Sequence, residues 1–213
     1  MNLQEEMYIN GFFEGTFNDE KSLNDLDLTI REITSGNPKK GFSLEERYKS
    51  SLDLKPNTLS YDDVFMDVII NNKIHEMINK ATGVSLYLAH IQLRVSYPSP
   101  RGSYVSWHRD THQYNRSDII GNIPPAYKLI YYPSLGQQKT GQMGIIAKSQ
   151  SFIFNSKILD MAYARLAKAK VISSSREKFV FLNTALLHKA INPELQEGSV
   201  RLIYSFVRKE QLA

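Results

Sequence analysis

From Gly83 onward the chain breaks into short runs rich in aliphatic and aromatic residues, each closed by a polar or Gly/Pro-bearing stretch. No other feature restricts the fold as much. Residues 85–97, 104–110, 127–132, 143–147, 178–190 and 200–208 read as strands. Residues 98–103 form a turn-rich break, 111–126 a polar loop with Gly121, Pro124 and Pro125, and 155–168 a helix. Strands this short and closely spaced bury a core by closing into a sandwich or barrel, here with helical support.

Upstream, residues 60–82 form the best helix. Ser60 or Asp62 can cap its start, and Gly83 stands just past its end. Val64, Phe65, Val68, Ile69, Ile74, Met77 and Ile78 give it an apolar stripe, which reads as a packing helix laid against a sheet. His75 lies near that stripe and reads as structural. Residues 1–58 are mixed: 11–17 suggests a short aromatic edge strand, Ser35-Gly36-Asn37-Pro38 a turn, and 39–54 is polar and charge-rich. With no repeat or linker, residues 1–213 read as one domain: a helical and mixed support region over 1–84 and a β core over 85–208.

The absence of cysteine excludes disulfide scaffolds, thiolate zinc sites, iron–sulfur clusters and cysteine nucleophiles. Any metal must rest on His, Asp or Glu. Lys and Arg outnumber Asp and Glu by 26 to 22, a net charge of +4. That excess is too mild for a dedicated nucleic-acid binder. Asp67, Asn71 and Lys73 interrupt the most apolar stretch, and Glu5 and Glu6 open the chain without a clean apolar run. The expectation is a soluble, cytoplasmic protein with no membrane span.

Among five histidines, His108 stands in a His-x-Asp pair with Asp110. Positions i and i+2 of a strand share a face, so both can reach one metal ion. His188 ends a strongly apolar strand about eighty residues later. Two histidines and one carboxylate on one face of an octahedron form the site of non-haem Fe(II) oxygenases. Arg201 lies on the next strand, after a turn containing Asn192-Pro193 and Gly198. An arginine entering a barrel on an otherwise apolar strand needs a carboxylate partner. No acid stands at a matching position in the neighbouring predicted strands, which favours a dicarboxylate ligand.

Residues 103–207 resemble the phytanoyl-CoA dioxygenase-like branch of the Fe(II)/2-oxoglutarate oxygenases. Trp107-His108-Arg109-Asp110 resembles the iron motif, and His188 followed by Asn192 the distal histidine and its asparagine. The run Gly141-Gln142-Met143-Gly144-Ile145-Ile146-Ala147-Lys148-Ser149-Gln150-Ser151 resembles a strand ending in Pro-Gly-Ser-His, here Ala147-Lys148-Ser149-Gln150. Arg201 resembles the co-substrate arginine, at a slightly longer spacing. Residues 1–84 carry no resemblance. The resemblance implies a double-stranded β-helix (jelly roll, cupin-like), mainly β with supporting helices. It implies Fe(II) on His108, Asp110 and His188, with 2-oxoglutarate and O2 as co-substrates and the distal carboxylate on Arg201. Hydroxylation of a small-molecule metabolite with release of succinate and CO2 follows from it, and Asp110 argues against a halogenase.

Around that site Ser205 is in phase with Arg201, and Lys128 is a second candidate anchor or a solvated side chain. Gln92 and Arg94 could reach the 1-carboxylate. His112 is a rim residue or alternative ligand, and the loop holding it with Tyr114, Arg116 and Asp118 a lid or a plain connection. Arg208 lies seven residues after Arg201, an odd offset that turns it to the other strand face. The AlkB-like nucleic-acid demethylases carry a second arginine in phase, so a small metabolite ranks above nucleic acid. A protein-modifying oxygenase and a non-oxygenase cupin-like metal- or sugar-binding or isomerase jelly roll are the alternatives.

Overall fold

Alternation of apolar and polar residues builds two antiparallel sheets whose apolar faces meet. The computed structural model describes residues 2–48, 51–96, 106–110, 126–133, 142–154, 156–173, 175–191 and 199–212. Among these, a seven-stranded sheet runs in the order β1 (Phe12–Thr16), β8 (Lys178–Asn183), β5 (Tyr127–Tyr131), β10 (Ser199–Val207), β4 (Tyr87–Ser96), β3 (Ser51–Lys55), β2 (Ser43–Tyr48). A three-stranded sheet runs β7 (Lys170–Ser173), β6 (Gln142–Ile145), β9 (His188–Ile191).

Side chains alternate across the large sheet. On β10, Leu202, Tyr204 and Phe206 face the helices and join a core with Leu129, Tyr131, Phe179 and Phe181. The helical side of that core comes from α1 (Leu3–Asn10), α2 (Glu20–Thr34), α3 (Val64–Asn71) and α4 (Ile74–Thr82). The buried Tyr204 hydroxyl donates to the Phe65 carbonyl at 3.0 Å and ties sheet to helix. The opposite face of the sheet contributes Phe12, Ile130, Val180, Leu182 and Ile203 to a second core with Met143, Ile145 and Ile172 of the small sheet. This is the mainly β, jelly-roll architecture with supporting helices. Among the described residues no helix is long and apolar enough to cross a membrane.

Several elements depart from the sequence reading. The helix expected over 60–82 is two helices, because Lys73 takes a left-handed conformation (φ 51°). The buried Asn72 side chain fixes that break: its amide donates to the Val68 carbonyl at 2.8 Å, and its oxygen accepts from the backbone of Asn18 and Asp19 at the start of α2. The strand expected over 178–190 is two strands, since residues 184–187 turn the chain from one sheet to the other. Asn183 closes that turn by accepting from the Ala185 N–H at 2.8 Å. Helix α2 and strands β2, β3 and β7 lie where no element was expected. The strand over 11–17 is present as β1 at the sheet edge, and the helix over 155–168 as α5 (Lys157–Leu166). The turn at 98–103, the loop carrying His112, Tyr114, Arg116 and Asp118, Gly141, and the 192–198 turn lie outside the described residues.

Candidate metal centre

His108 does not sit in a regular strand. It forms a single antiparallel bridge with His188, each backbone N–H donating to the other's carbonyl at 3.0 Å. Two residues on, the Asp110 N–H donates to the Thr184 carbonyl at 3.0 Å. Five residues are thus stitched to the start of β9 and to the turn before it. His108, Asp110 and His188 each present one ligand atom, all within 4.8 Å of one another. Nε2 of His188 stands 3.2 Å from Asp110 Oδ2, and Nε2 of His108 stands 3.7 Å from Oδ1.

The histidine tautomers follow from their outer contacts. Nδ1 of His108 faces the Ser106 carbonyl at 2.9 Å, and Nδ1 of His188 the Leu186 carbonyl at 3.0 Å. A carbonyl oxygen only accepts, so each Nδ1 carries the proton. With Nδ1 turned to a carbonyl in each ring, Nε2 is the atom left to face the cluster, the arrangement that suits a divalent cation. Burial, and then His188, push the His108 imidazole down to about 4 against the pull of Asp110, so it is neutral at pH 7. Burial alone would raise Asp110, but His188, Lys128 and His108 reverse this and hold it well below the usual carboxylate range. A neutral His108 imidazole, a second histidine and an ionised carboxylate fit a divalent transition metal.

Arg109 carries much of this precision, a residue the sequence reading passed over. It is buried and points away from its neighbours' side of the chain. Its guanidinium donates to Asp160 of α5, to the Ser149 and Phe152 carbonyls at 2.7 and 2.8 Å, and to the Ala185 carbonyl. Ser149, fully buried in the Ala147-Lys148-Ser149-Gln150 stretch, accepts from the Leu187 N–H at 2.8 Å and so fixes the residue before His188. Gln150 donates to the carbonyls of Tyr8 and Ile9, both at 3.3 Å, and anchors α1. An arginine between two ligands of a His-x-Asp motif was the available signal for the first contact. The others are backbone contacts with no sequence signature.

The remaining candidates share the inner face of the large sheet. Ser205 pairs in register with Lys128 on one side and His90 on the other, Ile203 with Ile130 and Gln92, and Arg201 with Arg94. Lys128 is not a solvated side chain, since its Nζ lies 2.9 Å from Asp110 Oδ2. Arg201 is buried on β10, in register with Arg94 of β4. One strand further, Asp53 of β3 pairs with Arg94. Asp53 accepts from Arg94 Nε at 2.7 Å, from Arg47 at 3.1 Å and from the Gln92 amide at 2.7 Å. Gln92 and Arg94, read as contacts for the 1-carboxylate, are therefore bound to Asp53, which lay in a segment read as polar rather than as strand.

Neither a family model nor a curated protein matches the chain. Solved structures do. The chain is similar to the non-haem α-ketoglutarate-dependent epimerase SnoN of nogalamycin biosynthesis, with TM-score 0.70 and 10% identity over 96% of this chain and 79% of that one. It is similar to the α-ketoglutarate-dependent carbocyclase SnoK from the same biosynthesis, with TM-score 0.71 and 10% identity over 96% and 82%. HygX from Streptomyces hygroscopicus, solved with nickel, 2-oxoglutarate and hygromycin B, gives TM-score 0.65 and 11% identity over 98% and 88%. The chain has the jelly-roll fold of these proteins, and a His-Asp-His cluster able to hold a metal ion lies within it.

Proposed function

We propose that this protein is an Fe(II)- and 2-oxoglutarate-dependent oxygenase that hydroxylates an unactivated C–H bond of a small-molecule metabolite. The observation that carries this reading is the convergence of His108, Asp110 and His188 within 4.8 Å, with both histidine tautomers set for metal binding. His108, Asp110 and His188 would hold Fe(II), which with 2-oxoglutarate and O2 supplies the oxidant for C–H cleavage, the co-substrate leaving as succinate and CO2.

The chain's own residues do the positioning. Arg201, Ser205 and Lys128 line the inner face as hydrogen-bond donors for a dicarboxylate. Ile130, Leu182 and Ile203 on that same face belong to the second apolar core. SnoN and SnoK belong to small-molecule biosynthesis and HygX was solved with hygromycin B, which supports a small metabolite as substrate here. The net charge of +4 gives no basis for a nucleic-acid substrate.

The test is succinate formation from 2-oxoglutarate, followed by NMR with Fe(II), O2 and a panel of small aliphatic and glycosylated metabolites. Succinate matched by a product one oxygen heavier, absent in His188→Ala, is the expected result. Succinate no higher than in His188→Ala across the panel contradicts the reading.

A further inference from the structure

Lys128 stands where two parts of the site meet. Its backbone lies on β5, in register with Ser205 of β10 and Leu182 of β8, on the face that carries Ile130 and Ile203. An ammonium on such an apolar face needs a counter-charge. Asp110 supplies it, at 2.9 Å from Oδ2, the oxygen that also lies 3.2 Å from His188 Nε2. One metal-ligating carboxylate is thus shared with a fixed cation.

Building on the 2-oxoglutarate reading, we propose that Lys128 makes metal binding at His108, Asp110 and His188 depend on the carboxylate co-substrate. A dication entering beside a fixed ammonium meets repulsion and competes with it for Asp110. A dicarboxylate bound within reach of Lys128 gives that ammonium another partner and screens it from the metal. Metal and co-substrate then strengthen each other's binding by the same factor. Lys128 is a positioning residue here, acting through Asp110. The consequence is a site that holds metal weakly until 2-oxoglutarate is present.

The experiment measures Mn(II) affinity by electron paramagnetic resonance of the free ion, with and without saturating 2-oxoglutarate. Wild type, Lys128→Met and Lys128→Arg are compared. Lys128→Met is expected to bind Mn(II) alone about tenfold more tightly than wild type and to lose about tenfold of the gain that 2-oxoglutarate confers, whereas Lys128→Arg retains the wild-type pattern. Mn(II) affinity of Lys128→Met that is unchanged or weaker overturns the proposal, as does an undiminished gain from 2-oxoglutarate. If wild type binds Mn(II) but no 2-oxoglutarate, the oxygenase reading falls and the coupling with it. If wild type is coupled and Lys128→Met equally so, only the role of Lys128 falls.

Discussion

Arg109 and Asp160 form a buried ion pair beside the His108–Asp110–His188 cluster. Nε and Nη2 of Arg109 both donate to Asp160 Oδ1, at 3.1 and 3.0 Å. The pair binds the segment holding His108 and Asp110 to α5, while the same guanidinium grips the turn that leads into His188. His108, Asp110 and His188, from distant parts of the chain, are thereby held to one geometry.

Removing one partner of such a pair leaves the other charged and buried. Arg109→Met is expected to cost about 3–5 kcal/mol of stability, measured by urea unfolding. Metal affinity should fall about 10- to 100-fold even where the variant remains folded. A variant as stable as wild type, with unchanged affinity, contradicts the role given to Arg109.

Trp107 is held from the other side by the lack of a side chain at Gly144. A Cβ on Gly144 would stand 3.1 Å from the Trp107 ring and 3.3 Å from Ile191 and Lys189. Lys189 Nζ lies 5.0 Å from the same ring, on the residue next to His188. Gly144→Val is therefore expected to destabilise by about 1–3 kcal/mol through overpacking. Because the ring precedes His108, metal affinity should fall too. Calorimetric unfolding with a metal titration checks both, and Met143→Leu serves as the control for core substitution on the same strand.

Asp53 sets an acid dependence. Burial alone would raise its carboxyl, but Arg94 and then Arg47 more than offset this, and the folded protein holds it below its ordinary value of 3.8. The unfolded chain therefore takes up a proton at a higher pH than the folded one. The stability Asp53 contributes is present above about pH 4 and is lost as pH falls through the folded value. Asp53→Asn should lower stability at pH 7 and flatten the acid limb of the unfolding profile below pH 4. It also leaves Arg94 without its carboxylate beside Arg201, so 2-oxoglutarate affinity should change while metal affinity alone does not. An acid limb identical to wild type contradicts this.

The His-Asp-His cluster was legible because its chemistry is local: His108 and Asp110 are two residues apart, and His188 ends an apolar run. The strands β4, β5, β6 and β10 were legible from their apolar runs. Helix α2 was missed although Leu23, Leu26, Ile30 and Ile33 follow a helical spacing behind the Asp19 cap. Its charged residues, dispersed among them, made the segment read as mixed. Strands β2 and β3 were missed because their inner face is polar: Asp53 is buried only because Arg94 and Arg47 neutralise it. Partners from other elements decided those assignments, and no local pattern encodes them. The same holds for Asn72, whose side chain breaks a continuous apolar stripe to cap a helix 53 residues away.

The most direct test is an anaerobic ultraviolet–visible titration of the metal-free protein with Fe(II) and then 2-oxoglutarate, alongside His108→Ala and Arg201→Ala. A weak visible charge-transfer band that is lost in His108→Ala and weakened in Arg201→Ala is the expected result. Iron binding without any band or measurable affinity for 2-oxoglutarate would contradict the oxygenase reading and leave a metal-binding jelly roll.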